Sequence, residues 1–247
     1  MKSTAGTTAA KRAAGERAAA AVTEGDTVGL GTGSTAAAAI RALGDRVADG
    51  LDVTAVTTSH QSQALAREVG IPLDSLAATD HLDVAIDGAD AVTVDAADAV
   101  TVDTTGDLPS SPPLIKGGGG AHVREKIVAA AADRYLVVVD DTKLEATLSR
   151  PVPVAVLPEA EALVTRRLRE LGGEPQLRAA ERKDGPVVTD DGNLVVDCAF
   201  GEIDDPAELG RRLAAVPGLV EHGLFLKVAD ELVVGESDGT ATVRRVE

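Results

Sequence analysis

Three times in the first ninety residues a short apolar run ends in a cluster of small polar residues. Residues 27–30 run into Gly31-Thr32-Gly33-Ser34-Thr35, residues 52–56 into Thr57-Thr58-Ser59, and residues 82–86 into Asp87-Gly88-Ala89-Asp90. Helix-length stretches separate them: an alanine-rich one at 7–23, closed by Glu24-Gly25, then 36–47, opened by Ser34 or Thr35 as a cap, and 61–69. Strands alternating with helices, with polar turns after the strands, predict a parallel α/β sheet. Such sheets bind ligands beyond the carboxyl ends of their strands, and all three turns fall at that edge.

The remaining chain divides into three parts. Ala-Asp-Ala-Val-Thr-Val-Asp occurs twice, at 89–95 and 97–103, inside a segment (91–114) that ends in a Gly/Pro/Ser stretch. This reads as a duplicated surface insertion, its alternating Val and Thr suited to a small hairpin. Order returns at 114–116, with a helix over 121–132 and an apolar strand over 135–139 ending in Asp140-Asp141-Thr142-Lys143. From Pro151 the order becomes β-α-β-β-α: strand 152–157, helix 159–171, strand 174–178, a hairpin turning at 190–193, helix 206–216. That order predicts a small split-βαβ, ferredoxin-like domain at 148–223. A Rossmann-like catalytic domain would then take 1–147 and 224–247, with strands and a hairpin around 237–239 returning to it.

Composition limits what such a fold can do. Aromatic residues are 1% of the 247, so Ala, Val and Leu must build the core through close helix-on-sheet packing. The net charge of −16 repels nucleic acid and anionic membranes. With Arg outnumbering Lys, this acidity also fits adaptation to high salt, where screening shrinks to about 3 Å at molar concentration. One cysteine, Cys198, allows no intrachain disulfide. The N-terminus has no signal-peptide pattern, and no run approaches the roughly 18 apolar residues of a membrane span. A soluble, cytoplasmic protein is expected. The four histidines show no paired metal-ligand spacing, so no metal site and no cofactor are expected.

Three motifs can carry chemistry. The 31–35 turn lets backbone N–H groups approach an anion at the positive end of a helix, although it serves equally as a tight strand-to-helix turn. It lacks the lysine of a triphosphate-binding loop. Asp87 and Asp90, across a glycine turn, can point into one cleft, where close carboxylates raise one pKa and make an acid/base. Such Asp-Gly turns are also ordinary loop punctuation. Lys116 precedes four glycines, then Ala121, His122, Val123, Arg124 and Glu125. Four glycines cost backbone entropy and make sense where the backbone itself must donate to a ligand. Glu125, about a turn into the helix, can reach back as a base or stand as a solvated charge beside Arg124 and Lys126. Lys116, Lys126 and Lys143 are three of only seven lysines, a clustering that suggests a positive pocket.

Together these motifs resemble the ribose-5-phosphate isomerase A family. The resemblance rests on GTGSTAAAAI (31–40), TTSHQSQALARE (57–68), DVAIDGAD (83–90), KGGGGAHVREKI (116–127), DDTK (140–143), DGPVVTDDGNLVVD (184–197) and VPGLVEHGLF (216–225). It implies that Thr32, Gly33, Ser34, Thr35 and Lys143 hold the phosphate of a sugar phosphate. It further implies that Asp87, Gly88, Ala89, Asp90 and Lys116, Gly117, Gly118, Gly119 bind the sugar, and that Glu125 is the base. Catalysis is then expected from Glu125, Asp87, Asp90 and Lys116 without a metal, in pentose phosphate metabolism, by a homodimer or homotetramer. Two positions depart from the family pattern: Ala91 stands where a glutamate is usual, and the repeat lengthens the path from Asp90 to Lys116. A non-catalytic sugar-phosphate-binding module on the same fold is the alternative, against which stand the presence of Glu125 and Lys116 and the lack of a preceding basic helix-turn-helix.

Overall fold

A computed structural model describes residues 6–94, 108, 110–182 and 184–246. Its main sheet has six strands in the order β14-β13-β6-β3-β1-β2. They are β1 (Thr27–Leu30), β2 (Thr54–Thr57), β3 (Val84–Gly88), β6 (Tyr135–Asp140), β13 (Glu231–Gly235) and β14 (Ala241–Arg245). All neighbours run parallel except β13 and β14, the expected C-terminal hairpin.

Both faces of this sheet are covered, and β6 shows how. Tyr135, Val137 and Val139 join one apolar cluster, while Leu136 and Val138 join the other, so a continuous apolar run serves two cores. Helices α1 (Thr8–Ala19), α2 (Ser34–Ala48) and α3 (His60–Glu68) cover one face through Ala14, Ala18, Ala39, Ile40, Leu43 and Leu65. Small residues let α1 and α2 nearly touch: a Cβ on Gly15 would lie 2.5 Å from the Ala39 nitrogen. The other face takes α4 (His122–Ala131) and a short sheet in the order β12 (Leu224–Phe225), β5 (Leu114–Ile115), β4 (Ala91–Thr93), β7 (Leu144–Glu145).

That short sheet corrects the expected hairpin. Strand β4 (Ala91–Thr93) lies between β5 (Leu114–Ile115) and β7 (Leu144–Glu145). Val92 pairs with Leu114 on one side and Leu144 on the other, so neither edge is open to the second repeat copy. Residues 97–103 themselves lie outside the described residues.

A second four-stranded sheet has the order β11-β8-β10-β9, antiparallel throughout. It comprises β8 (Val152–Val156), β9 (Glu174–Leu177), β10 (Leu194–Ala199) and β11 (Leu219–His222), with α5 (Glu161–Glu170) and α6 (Pro206–Ala214). This is the split-βαβ arrangement, and its elements all come from 152–222. Strand β12 (Leu224–Phe225) then leads back to β13. Among the described residues no helix is long and apolar enough to cross a membrane.

Candidate active site

Beyond the carboxyl ends of β1, β3 and β6 lies a cavity of about 250 Å³. Its walls are Thr32 to Thr35, Gly88 to Asp90, Lys116 to Gly119, Glu125 and Lys143, together with Lys11 and Gln61. Four loops distant in sequence thus meet where a parallel sheet places its loops.

At one end, α2 begins directly on the glycine turn. Gly33 is its N-cap, with φ 118°, a conformation open to glycine, and no side chain caps the helix. Ser34 and Thr35 are therefore the first helical residues, not caps; the helix starts two residues earlier than expected because Gly33 makes the turn unaided. The uncapped first-turn amides and the helix dipole leave this end suited to an anion. Thr32 is tied away by its hydroxyl, which bonds to Thr58 (2.8 Å) and Ser59 (2.7 Å). Lys143 follows β6 on a 3-10 turn. Burial, then nearby Arg150, holds its pKa below the usual lysine value.

At the other end Lys116 is the hub. Only 2% exposed, its ammonium lies 2.9 Å from Asp87 Oδ2 and 3.3 Å from Glu125 Oε2, and it donates to the Gly88 carbonyl. Burial alone would lower its pKa, but Asp87 and then Glu125 outweigh this and raise it. Glu125, in the first turn of α4, is also buried. Desolvation, then the Asp87 charge, pushes its carboxyl up to about 8 against the opposing pull of Lys116. A carboxyl tuned so close to neutrality suits proton transfer.

The two aspartates differ. Asp90 lines the cavity and accepts from Gly118 N–H at 2.7 Å. Asp87 is fully buried and does not line it. Its carboxylate accepts from the amides of Thr32 (3.1 Å) and Gly88 (2.7 Å), from the Tyr135 hydroxyl (3.2 Å) and from Lys116. The shared cleft expected for both therefore holds Asp90 alone, because Asp87 is consumed behind Lys116. The positive cluster is also corrected. Lys126 turns away to Glu221 (2.7 Å), the His222 and Leu224 carbonyls and the Phe225 ring, and Lys11 of α1 takes its place in the wall.

Comparison with known proteins decides the family. The profile of "Ribose 5-phosphate isomerase A (phosphoriboisomerase A)" matches residues 54–239. The chain belongs to the ribose-5-phosphate isomerase A family. A ribose-5-phosphate isomerase A of Natronomonas pharaonis is 60% identical over 97% of this chain and 98% of its own. The solved ribose 5-phosphate isomerase A of Methanocaldococcus jannaschii superposes with a TM-score of 0.84 at 39% identity, covering 95% and 97% of the two chains. A D-ribose-5-phosphate isomerase solved with phospho-erythronic acid gives 0.85 at 36% identity over the same shares. The motifs at 31–40, 57–68, 83–90, 116–127 and 140–143 thus each give a wall residue to one cavity, with Asp87 just behind it.

Three residues of this setting had no distinct signal in the sequence, whereas Gln61 lies within the 57–68 motif. Lys11 sits on a helix far from the motifs, Tyr135 reads as one more apolar strand residue, and Arg178 lies in the small sheet. Only the scarcity of lysine and tyrosine could have drawn attention to two of them.

Proposed function

We propose that the chain interconverts D-ribose 5-phosphate and D-ribulose 5-phosphate through an enediolate, with Glu125 as the base. The observation that carries this is a single buried ammonium, Lys116, shared by the base and by the glycine turn's wall of the cavity. The phosphate sits at the start of α2 between Lys11 and Lys143. This places C1 and C2 of the open-chain sugar against Lys116, Asp90 and the glycine loop. Glu125 takes the C2 proton, the electron pair shifts towards O1, and the Glu125 carboxyl, whose proton exchanges in part with solvent, then protonates C1.

Lys116 and loop amides stabilise the developing oxyanion, a contribution typically of about 3–4 kcal/mol per donor. Because Lys116 stands where a Lewis acid would act, the reaction needs no metal. Asp90, on the wall, moves the proton between O1 and O2, whereas Asp87 acts by holding Lys116. That gives Asp87 a positioning role instead of the acid/base and sugar-binding roles expected of it.

Reaction in D₂O tests the enediolate: solvent deuterium should appear at C1 of the ribulose 5-phosphate formed. Complete retention of the original C2 hydrogen would contradict it. We further infer a cytoplasmic homodimer or homotetramer, supported by the family relationship and testable by sedimentation in molar salt.

A further inference from the structure

The glycine loop is gripped from outside by the small sheet. Arg178 follows β9, and its guanidinium forms a two-pronged ion pair with Asp197 of β10, Nε to Oδ2 at 2.8 Å and Nη2 to Oδ1. The remaining nitrogen, Nη1, donates to the carbonyl oxygens of Gly117 (3.1 Å) and Gly118 (3.2 Å). The Arg178 side chain is 17% exposed, so these bonds are largely shielded from water.

Peptide planarity turns this into a statement about the cavity. In a trans peptide the C=O of one residue and the N–H of the next point in opposite directions. Fixing the Gly117 carbonyl on Arg178 throws the Gly118 N–H the other way, and it lands on Asp90. Fixing the Gly118 carbonyl likewise throws the Gly119 N–H away from Arg178, to the side where Gly119 lines the cavity. The loop has little room to turn otherwise. A Cβ on Gly117 would come within 2.7 Å of His122, and one on Gly118 within 2.6 Å of Asp90. A cation on the carbonyl side of these peptides also polarises them, strengthening their N–H groups as donors.

We propose that Arg178, clamped by Asp197, is a positioning residue that aims the Gly119 amide at the developing oxyanion. The small sheet thereby completes the site without touching substrate. This rests on the isomerase reading given above. Arg178 supports an interaction that strengthens in the transition state, so its loss lowers kcat and leaves ground-state binding in place.

The test compares wild type with Arg178→Gln and Asp197→Asn in molar KCl, using ribose 5-phosphate turnover and inhibition by two probes. One probe is a planar four-carbon phosphosugar hydroxamate that mimics the enediolate, and the other is inorganic phosphate. Arg178→Gln should lower kcat on the order of 10²-fold, the loss expected from a displaced oxyanion donor. KM and phosphate inhibition should stay within about twofold, while the hydroxamate weakens in step with kcat. Asp197→Asn should shift the same quantities in the same direction by less, and it carries the test if Arg178→Gln does not fold. Wild-type kcat in either folded variant, or equal weakening of both probes, would overturn the strut. An inactive wild type would instead overturn the isomerase reading.

Discussion

Lys116 and Glu125 form an ion pair at 3.3 Å with both side chains almost sealed from solvent. The Asp87 carboxylate touches the same ammonium at 2.9 Å. One cation thus serves two buried carboxylates, so neither can be neutralised without disturbing the other. Most of the site's behaviour follows from that imbalance.

The pH dependence comes first. Glu125 is raised from 4.5 to about 8, and it works as a base only when ionised. Accordingly kcat/KM, which reports the free enzyme, should climb with pH through about 8. The stability consequence has the opposite sense. The folded state holds this proton more tightly than the unfolded chain, so the contribution is fully present below about 4.5 and lost as pH rises through about 8. Glu125→Gln should flatten that part of the stability profile in denaturant titrations at several pH values.

Removing the shared cation should be costly. Lys116→Met leaves Asp87 and Glu125 buried without a countercharge, and breaking such a pair costs about 3–5 kcal/mol. Urea unfolding should show that loss, and kcat should fall by about 10²-fold or more as the oxyanion loses a donor. A variant as stable as wild type would show that Lys116 is not the hub described.

How far the site could be read in advance differs by residue. The strand-turn-helix rhythm placed 31–35 and 87–90 at one sheet edge, because local periodicity and topology rules are short-range and strong; the third turn, 57–59, gives the cavity no wall residue. The glycine run and Glu125 were legible from residue type. Asp87 was not, since its position behind Lys116 depends on Tyr135 and two backbone amides that only the folded sheet brings up. Lys11 and Arg178 reach the site through the α1 packing and the small sheet, long-range contacts with no local pattern. The hairpin expectation for the repeat failed for the same reason: residues 91–93 found partners at 114–115 and 144–145.

The anion end makes a separate prediction. Lys11→Ala and Lys143→Ala should each raise KM for ribose 5-phosphate and weaken inorganic phosphate inhibition together, on the order of tenfold, as for one lost charge-assisted hydrogen bond of about 1.5 kcal/mol. The effect on kcat should be smaller than that on KM. Unchanged phosphate inhibition in both variants would move the anion elsewhere.

Salt should matter globally. With a net charge of −16, self-repulsion weakens as the screening length falls from about 10 Å at 0.1 M to about 3 Å at 1 M. The melting temperature should therefore rise substantially from low to molar KCl. A salt-independent melting temperature would count against the high-salt reading.

If Glu125, paired to Lys116, moves the proton without a metal, ribose 5-phosphate conversion in molar KCl with EDTA present should separate wild type from Glu125→Gln. Wild type should keep full turnover in EDTA, and the variant should drop by about 10²–10⁴-fold, the range for a lost general base. Equal activity in the variant, or wild-type activity that vanishes with EDTA and returns with a divalent cation, would contradict that mechanism.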